Sequence, residues 1–208
     1  MMYQVEKPTT STVEPTERCS PEEYLQMEVR SADRHEYHDG EIVLMTGATP
    51  NHNRIARNLC TTMTVGLQGR SLEVFIADQR LWIAQPNLYT YPDIMVIEGD
   101  LELQSGRQDT VMNPILIIEV LSKSTQAYDR GGKFAAYRTI PGFLEYVLVD
   151  QYSQHVEHYV KTSVKKWDFQ EYDATDLIVP LKSIDLEVAI PYIYDKVEFI
   201  AESIRADF

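Results

Sequence analysis

The chain has 208 residues, of which 44% are hydrophobic, and its acidic residues exceed its basic ones by 32 to 19, for a net charge of −13. A chain of this length buries roughly 70% of its unfolded surface, so one domain is stable without disulfide or zinc cross-links. The acidic excess argues against a protein that coats nucleic acid through a broad basic face, and any DNA contact must be local.

The sequence carries no signal for export or membrane insertion. No charged and then apolar leader opens the chain, and no apolar run approaches the roughly 18 residues that a membrane helix needs. Cys19 and Cys60 belong to no C-x-x-C pair, as is typical of unpaired thiols in a reducing compartment. We therefore expect a cytoplasmic protein with no membrane partner.

The first predicted element is a short helix that follows a polar tail. Residues 1–19 mix Pro, Thr, Ser and Glu with almost no apolar periodicity, which indicates a flexible tail. Ser20 is a typical N-cap, and Pro21 and Glu23 stand at the first and third helical positions, so a helix is predicted over about 21–28. A single domain is expected over residues 20–208.

A hairpin and a longer helix are predicted next. The dipeptide Asp39-Gly40 favours a two-residue turn, and it joins two strand-like runs, 35–38 and 41–45. From Asn51 onward, apolar residues recur at intervals of four, which predicts a helix over about 50–68 with one apolar face. These residues are Ile55, Leu59, Met63 and Leu67.

The rest of the chain is dominated by strand-like runs. Strands are predicted over 72–77, 80–84, 91–97, 114–121, 144–150, 154–161 and 166–172. The run 114–121 is apolar on both alternating faces, as expected of a central strand covered on two sides. Helices are predicted over about 129–139 and from Tyr192 to Ile204. This order of elements predicts an α/β (α+β) domain in which helices flank a mixed β-sheet.

Asp93 and Glu119 each lie inside an otherwise apolar strand-like run. An ionised carboxylate removed from water without a partner costs several kcal/mol, so each requires compensation. One interpretation is that each lies at a strand end, where it is solvated or paired with an arginine. The other is that both bind one divalent cation, because Mg²⁺ takes one or two carboxylates and keeps positions for water and phosphate oxygens.

Several motifs follow one another in an order that resembles a known family. They are Tyr91-Pro92-Asp93, Glu119-Val120-Leu121-Ser122, Asp129 to Lys133 with Tyr137, and Glu145-Tyr146. The stretches SPEEYLQM and DGEIVLMTGATPNH add to them, so the similarity covers about residues 20–205. With these motifs the chain resembles the Uma-two family of restriction-endonuclease-like proteins.

The resemblance implies a PD-D/E-x-K nuclease fold, in which an Asp and a Glu from adjacent strands bind Mg²⁺ and a Lys assists the attacking water. Asp93 and Glu119 take the two carboxylate roles. The lysine should lie two residues after the Glu on the same face of the strand, but that position is Leu121. Lys133, in the helix that follows, is the expected replacement, and Lys123 is a second candidate.

Lys133 also has a simpler interpretation as a surface lysine paired with Asp129 one helical turn earlier. Asp129 is accordingly a secondary candidate for the site. Gly131 and Gly132 are poor helix formers, so their presence in the first turn suggests that another group approaches the backbone closely.

Two further polar residues are secondary candidates. In the superfamily that the resemblance implies, an acidic residue from the first core helix often joins the metal site, and Glu41 and His52 lie near that predicted helix. The alternatives are a solvated hairpin residue for Glu41 and an exposed residue near the helix start for His52.

Together with the resemblance, these residues predict a Mg²⁺- or Mn²⁺-dependent endonuclease that cuts DNA. A homodimer is expected, since cutting both strands commonly uses two sites. Two alternatives stay open. One is a catalytically silent nuclease-fold module for interaction or oligomerisation, which the net charge and the missing strand lysine favour. The other is a nuclease that acts on RNA or a small nucleotide, for which an acidic exterior is less of a handicap.

Overall fold

The computed structural model describes residues 18–199. The helical segments in this range are α1 (Pro21–Arg30), α2 (Pro50–Gly66), α3 (Gln126–Tyr128), a π-helical turn (Asp129–Lys133), α4 (Phe134–Tyr137), a 3₁₀ turn (Lys182–Ile184) and α5 (Ile190–Ile193). None of these helices has both the length and the apolar character needed to cross a membrane.

The strands of the described range form three sheets. In chain order they are β1 (His35–His38), β2 (Glu41–Leu44), β3 (Leu72–Ile76), β4 (Arg80–Ile83), β5 (Leu88–Thr90), β6 (Ile94–Glu98), β7 (Thr110–Val111), β8 (Pro114–Leu121), β9 (Glu145–Asp150), β10 (His155–Ser163), β11 (Lys166–Asp173), β12 (Ile178–Leu181) and β13 (Leu186–Ala189). A six-stranded sheet has the order β11-β10-β9-β8-β6-β3, a five-stranded sheet has the order β2-β1-β5-β4-β7, and β12 pairs with β13. Mixed sheets flanked by helices confirm the predicted fold class.

β8 is a central strand of the six-stranded sheet. All eight of its residues are buried, because apolar clusters cover it on both faces. It pairs in parallel with β9, with Glu119 opposite Leu148. Since a parallel pair requires a crossover, the chain leaves β8, passes through α3, the π-helical turn and α4, and returns at the start of β9.

The amino-terminal elements confirm the predictions made from local sequence. Ser20 and Glu23 form a reciprocal capping box at the start of α1, and α1 runs two residues further than predicted, to Arg30. Asp39 and Gly40 have φ angles of +46° and +106°, as a two-residue hairpin turn requires. The predicted apolar face of α2 is buried in the core; its residues are Ile55, Leu59 and Met63.

The described chain begins beside the β1–β2 turn. The guanidinium of Arg18 lies 3.2 Å from the Asp39 carboxylate, and the Cys19 N–H donates to the Gly40 carbonyl at 3.1 Å. Arg18 and Cys19 are thus held against the domain, whereas residues 1–17 of the predicted tail lie outside the described residues.

Three predicted elements differ in the structure. The run 91–97 is not one strand, because β5 ends at Thr90 and β6 begins at Ile94, so Asp93 precedes the strand instead of lying within it. The helix predicted over 129–139 is α-helical only from Phe134 to Tyr137, because its first five residues, which include the two glycines, form the π-helical turn. The helix predicted from Tyr192 is wrong for residues 194–199, since α5 ends at Ile193 and Lys196 has a φ of +61° that a helix does not accommodate. Its remainder lies outside the described residues.

The strands β12 and β13, which local sequence did not predict, are linked to the main sheet through Glu145. Its fully buried carboxylate accepts the backbone N–H groups of Lys182 and Ser183 at 2.8 Å each and lies 2.5 Å from His158 Nε2. Burial raises the pKa of Glu145, but the bonds from His158 and Ser183 outweigh it and leave the pKa below its usual value. This charged residue of the family motif therefore has a structural role.

Candidate active site

Six charged or titratable side chains from five segments of the chain meet beside the carboxyl-terminal half of β8. We call this group the acidic cluster, although it contains two basic members. Glu119 comes from β8, Asp129 and Lys133 from the π-helical turn, Glu36 from β1, Asp93 from the residue before β6, and His52 from the first turn of α2.

Glu119 and Lys133 form a buried ion pair at the centre of the cluster. Lys133 Nζ lies 3.1 Å from Glu119 Oε1, and the Tyr137 hydroxyl donates to the same oxygen at 2.7 Å. The other oxygen, Glu119 Oε2, accepts the backbone N–H of Asp93 at 3.3 Å. Lys133 and Tyr137 are four residues apart, so one face of the crossover helix presents both side chains to β8.

Lys133 contacts two further carboxylates. Its Nζ lies 3.3 Å from Glu36 Oε1 and 3.5 Å from Asp129 Oδ1. The pairing with Asp129 that the simpler interpretation required is present, but Lys133 is only 7% exposed and is therefore not a surface lysine. Asp129 Oδ1 is buried and, among the described residues, accepts no hydrogen bond.

The π-helical turn brings the Asp129 and Lys133 side chains to the same side. A Cβ at Gly132 would lie 2.5 Å from the ring of Tyr128, so the close approach expected at the glycine pair is confirmed there. The same prediction is wrong at Gly131, since no atom outside the helix backbone around it lies within 4 Å of a Cβ placed there. The ring of Tyr128 stacks on His38, with the centroids 5.1 Å apart.

Glu36 is the member of the acidic cluster that sequence reasoning missed. It is 7% exposed, accepts a short hydrogen bond from the Thr90 hydroxyl, and lies 2.9 Å from His38 Nε2. Burial raises the pKa of Glu36, but the Lys133 charge and the bonds from His38 and Thr90 lower it to about 2. The available signal was strand alternation, because Tyr37 faces the core and its neighbour Glu36 must face the other side of the sheet.

Asp93 and His52 form the more open end of the cluster. Asp93 Oδ2 accepts the Val120 N–H at 2.8 Å and lies 3.1 Å from His52 Nε2. The two side chains are 19% and 16% exposed, so solvent reaches this end of the cluster. Burial lowers the pKa of His52, but the bond to Asp93 and the charge of Glu119 outweigh it and raise the pKa above its usual value.

Negative charge exceeds positive charge in the acidic cluster. Its four carboxylates have one lysine and two histidines as basic partners, since His38 at the edge of the cluster also pairs with Glu36. Burial, together with the charges of Asp93 and Asp129, raises the pKa of Glu119 well above its usual value although Lys133 opposes the shift. Burial likewise raises the pKa of Asp129. The cluster therefore favours the uptake of positive charge, either as protons or as a cation.

Two of the candidates from the sequence lie outside the cluster. Glu41 is exposed at the start of β2, opposite His38 in the hairpin register, and its carboxylate makes no ion pair among the described residues. Lys123 is exposed at the start of the crossover, where its ammonium lies 5.9 Å from the ring centroid of Tyr152. The structure thus brings Lys133, and not Lys123, to Glu119.

The donor types of the acidic cluster fit a hard divalent cation. Carboxylate oxygens are the ligands that Mg²⁺ and Mn²⁺ prefer. Asp129 Oδ1 accepts no hydrogen bond within the described part of the chain and has only the Lys133 ammonium, at 3.5 Å, as an ionic partner there. The excess of carboxylates supplies the charge that a cation would neutralise. The described residues do not, however, hold three or more His, Cys, Asp or Glu side chains in a preformed cation cage. The fit is therefore one of chemistry and charge.

The fold and the sequence both relate this chain to nuclease-like proteins. A solved structure from Anabaena variabilis, described as a putative nuclease belonging to DUF820, superimposes with a TM-score of 0.68 over 83% of this chain and 96% of that chain. At 19% identity, this likeness establishes the fold alone.

The family follows from sequence comparison. Residues 21–191 match the model of the family described as Uma2, putative restriction endonuclease. Two uncharacterized proteins of Synechocystis sp. are similar as well. One, slr1290, is 39% identical over 89% of this chain and 96% of its own length. The other, sll1609, is 43% identical over 70% of this chain and 82% of its own length. This chain belongs to the Uma2 family.

Proposed function

We propose that this protein is a metal-dependent endonuclease that hydrolyses phosphodiester bonds in DNA. The observation that carries the proposal is the acidic cluster, in which four carboxylates have one lysine, Lys133, and two histidines, His38 and His52, as basic partners among the described residues. The description of the Uma2 family as "putative restriction endonuclease" and the likeness in fold to a structure described as a putative nuclease support the same class of reaction.

In this proposal Asp93 and Glu119 hold Mg²⁺ or Mn²⁺, and Asp129 and Glu36 add negative charge close by. The cation would neutralise charge on the phosphate and acidify a bound water. Lys133, which already lies between Glu119 and Glu36, would stabilise the negative charge that develops on the phosphate in the transition state. His52 keeps Asp93 oriented through its 3.1 Å contact.

The net charge of −13 shapes the proposed interaction with DNA. Because acidic residues outnumber basic ones, contact with DNA would be confined to the region of the cluster, where a bound cation would offset the carboxylates. We further propose that the protein acts as a homodimer, since cutting both strands of a duplex commonly uses two sites. Its cytoplasmic location stays a prediction.

A plasmid-nicking assay tests the proposal. Supercoiled DNA is incubated with the original protein in Mg²⁺ or Mn²⁺, with a chelator as the blank. Single-stranded RNA is the parallel substrate, because it contains the same phosphodiester bond. Asp93→Asn should abolish cleavage, whereas Glu41→Gln, an equally conservative change outside the cluster, should retain it. Equal nicking by both variants would sink the proposal, and cleavage of RNA alone would reassign the substrate.

A second candidate function is a catalytically silent interaction module. Both oxygens of Glu119 are already engaged, by Lys133, Tyr137 and the Asp93 N–H, and the described residues hold no preformed cation cage. If the cluster is only structural, calorimetric titration with Mn²⁺ should show no binding heat. Heat that disappears in Asp93→Asn would instead favour the nuclease.

A further inference from the structure

β2 is an exposed apolar strand at the edge of the five-stranded sheet. All four of its residues are exposed, including Ile42 at 38%, Val43 at 43% and Leu44 at 54%. Edge strands usually carry lysine, proline or other charged residues that prevent pairing with another chain. The single charge of β2, Glu41, stands at its end beside the turn.

The other outer strands of the two larger sheets are protected, and β2 differs from them. β11 exposes a row of charged residues at its edge of the six-stranded sheet, β7 is only two residues long, and β3 places the charge of Glu73 near its centre. The lack of such protection on β2 is therefore a specific feature of this strand and favours a partner there.

The hydrogen-bond pattern of the hairpin shows which backbone groups of β2 are available. His38 and Glu41 close the two-residue turn, and the Met45 N–H donates to the Arg34 carbonyl at 2.9 Å. Bonds alternate along an antiparallel pair, so residues 41, 43 and 45 bond to β1. The N–H and C=O groups of Ile42 and Leu44 point away from the sheet, and no other described element pairs with them.

We propose that β2 pairs antiparallel with β2 of a second copy of this chain, about a twofold axis at Val43. In this register Ile42 lies opposite Leu44 of the second copy and exchanges both backbone hydrogen bonds with it, and Val43 lies opposite Val43. Every outward N–H and C=O of Ile42 and Leu44 gains a partner. The three central cross-strand pairs are apolar, which is favourable in a sheet, and Glu41 at each end lies opposite Met45 of the other copy. The two sheets become one continuous sheet.

The amino-terminal segment, residues 1–17, is the competing occupant, because the described chain begins beside the β1–β2 turn. Two prolines, Pro8 and Pro15, interrupt it, and prolines disfavour strand pairing. The stretches that they leave, MMYQVEK and TTSTVE, contain no run of branched apolar residues, whereas a second copy supplies Ile42, Val43 and Leu44 together.

The proposed pairing places two acidic clusters on one side of the joined sheet. Glu36 lies opposite Val43 in the hairpin. The joined sheet therefore contains one row across four strands: Glu36 and Val43 of one copy, followed by Val43 and Glu36 of the second copy. Three strand spacings separate the two Glu36 residues by about 14 Å, and residues paired across an antiparallel sheet face the same side. The proposed strand pairing does not depend on the proposed nuclease function. The use of both acidic clusters on one DNA duplex does depend on that function.

The first test measures oligomeric state by light scattering after gel filtration, with no activity readout. The original protein should have the mass of two chains, and Leu44→Lys should weaken association at least about tenfold. Ile76→Lys is the matched control, because Ile76 is an equally exposed apolar residue, at 53%, on the edge strand β3. A monomeric original protein overturns the proposal, as does a dimer that Ile76→Lys dissociates and Leu44→Lys does not.

The second test keeps the proposal open to refutation if Leu44→Lys fails to fold. The twofold axis makes Val43 and its copy a non-hydrogen-bonded pair with Cα atoms about 4.5 Å apart, within disulfide range. Val43→Cys should therefore form a covalent dimer in an oxidising glutathione buffer, whereas Ile76→Cys and the original protein should not. No excess dimer for Val43→Cys overturns the pairing, and so does slow amide exchange at Ile42 and Leu44 in a monomer, which would indicate the amino-terminal segment as occupant.

Discussion

Lys133 Nζ lies 3.1 Å from Glu119 Oε1, although the two residues are fourteen positions apart in the chain. Both side chains are buried, and the lysine also contacts Glu36 and Asp129. Burial lowers the pKa of Lys133, but the charges of Glu119, Glu36 and Asp129 outweigh it and raise the pKa well above its usual value. Lys133 therefore remains charged and is the cation on which three buried carboxylates depend.

Replacing this lysine should destabilise the protein. Lys133→Met is expected to lower the free energy of unfolding by about 3–5 kcal/mol at neutral pH, because buried carboxylates lose their partner. Lys123→Met, at the exposed lysine of the same crossover, should stay within about 0.5 kcal/mol of the original protein. Equilibrium urea unfolding followed by tryptophan fluorescence measures both. Equal stabilities for the two variants would show that the cluster does not depend on Lys133.

Divalent cations should stabilise the folded protein if they bind the acidic cluster. A ligand that binds only the folded state adds about 2.7 kcal/mol at a hundredfold excess over its Kd, so Mn²⁺ should raise the Tm in a concentration-dependent manner. Asp93→Asn should lose this response, and Glu41→Gln, outside the cluster, should keep it. A Tm that rises equally in both variants would indicate that Mn²⁺ binds elsewhere.

Glu36 should contribute to acid sensitivity. Its pKa is lowered to about 2 in the folded protein from an unfolded value of 4.5, so the folded state binds fewer protons between these pH values. The stabilisation is present above about pH 4.5 and is lost as the pH falls toward 2, an effect on the order of 3 kcal/mol.

Glu36→Gln tests this pH dependence. The variant should have a flatter dependence of unfolding free energy on pH between about 2 and 4.5, as measured by urea unfolding at a series of pH values. Glu187→Gln serves as the control, because Glu187 is exposed on β13 and its removal should leave the slope unchanged. If Glu36→Gln leaves the pH dependence of the unfolding free energy unchanged, the lowered pKa of Glu36 is not a source of acid sensitivity.

The two glycines of the π-helical turn should respond differently to alanine. At Gly132 a Cβ would lie 2.5 Å from Tyr128 and displace a ring that stacks on His38, so Gly132→Ala should destabilise the protein by about 1–3 kcal/mol. Gly131→Ala meets no neighbour and should be neutral or stabilising by up to about 1 kcal/mol. Thermal unfolding of the two variants measures both effects. A Gly131→Ala variant less stable than Gly132→Ala would show that the steric constraint lies at Gly131 and not at Gly132.

Local patterns were sufficient to predict the elements whose signals lie in neighbouring residues. The capping box at Ser20, the Asp39-Gly40 turn, the apolar face of α2 and the doubly apolar strand β8 are all encoded within a few positions. The short strands β5, β7, β12 and β13 were not predicted, because they depend on partners elsewhere in the chain and are too brief to show a periodicity of their own.

The candidate site was predictable only in part for the same reason. Asp93 and Glu119 were recognisable as acids in apolar surroundings, and Lys133 was named through family resemblance. The partner of Glu36 lies on a crossover almost a hundred residues away, and its hydroxyl donor, Thr90, belongs to β5. Glu41 and Lys123 are close in sequence to β1 and β8, which contribute residues to the acidic cluster, but their own side chains are exposed and lie outside it.

The crossover between β8 and β9 sets the order in which the acidic cluster can form during protein synthesis. Glu36, Asp93, Glu119 and Asp129 all precede Lys133 in the chain, and synthesis proceeds at roughly 5–20 residues per second from the amino terminus. A nascent chain that ends before Lys133 thus holds four carboxylates without the lysine that pairs with three of them, and it also lacks β9, which forms hydrogen bonds with one edge of β8. The neutralisation of the Glu119 carboxylate by Lys133 therefore requires that synthesis has passed residue 133, and the complete pairing of β8 with β9 requires that it has passed residue 150.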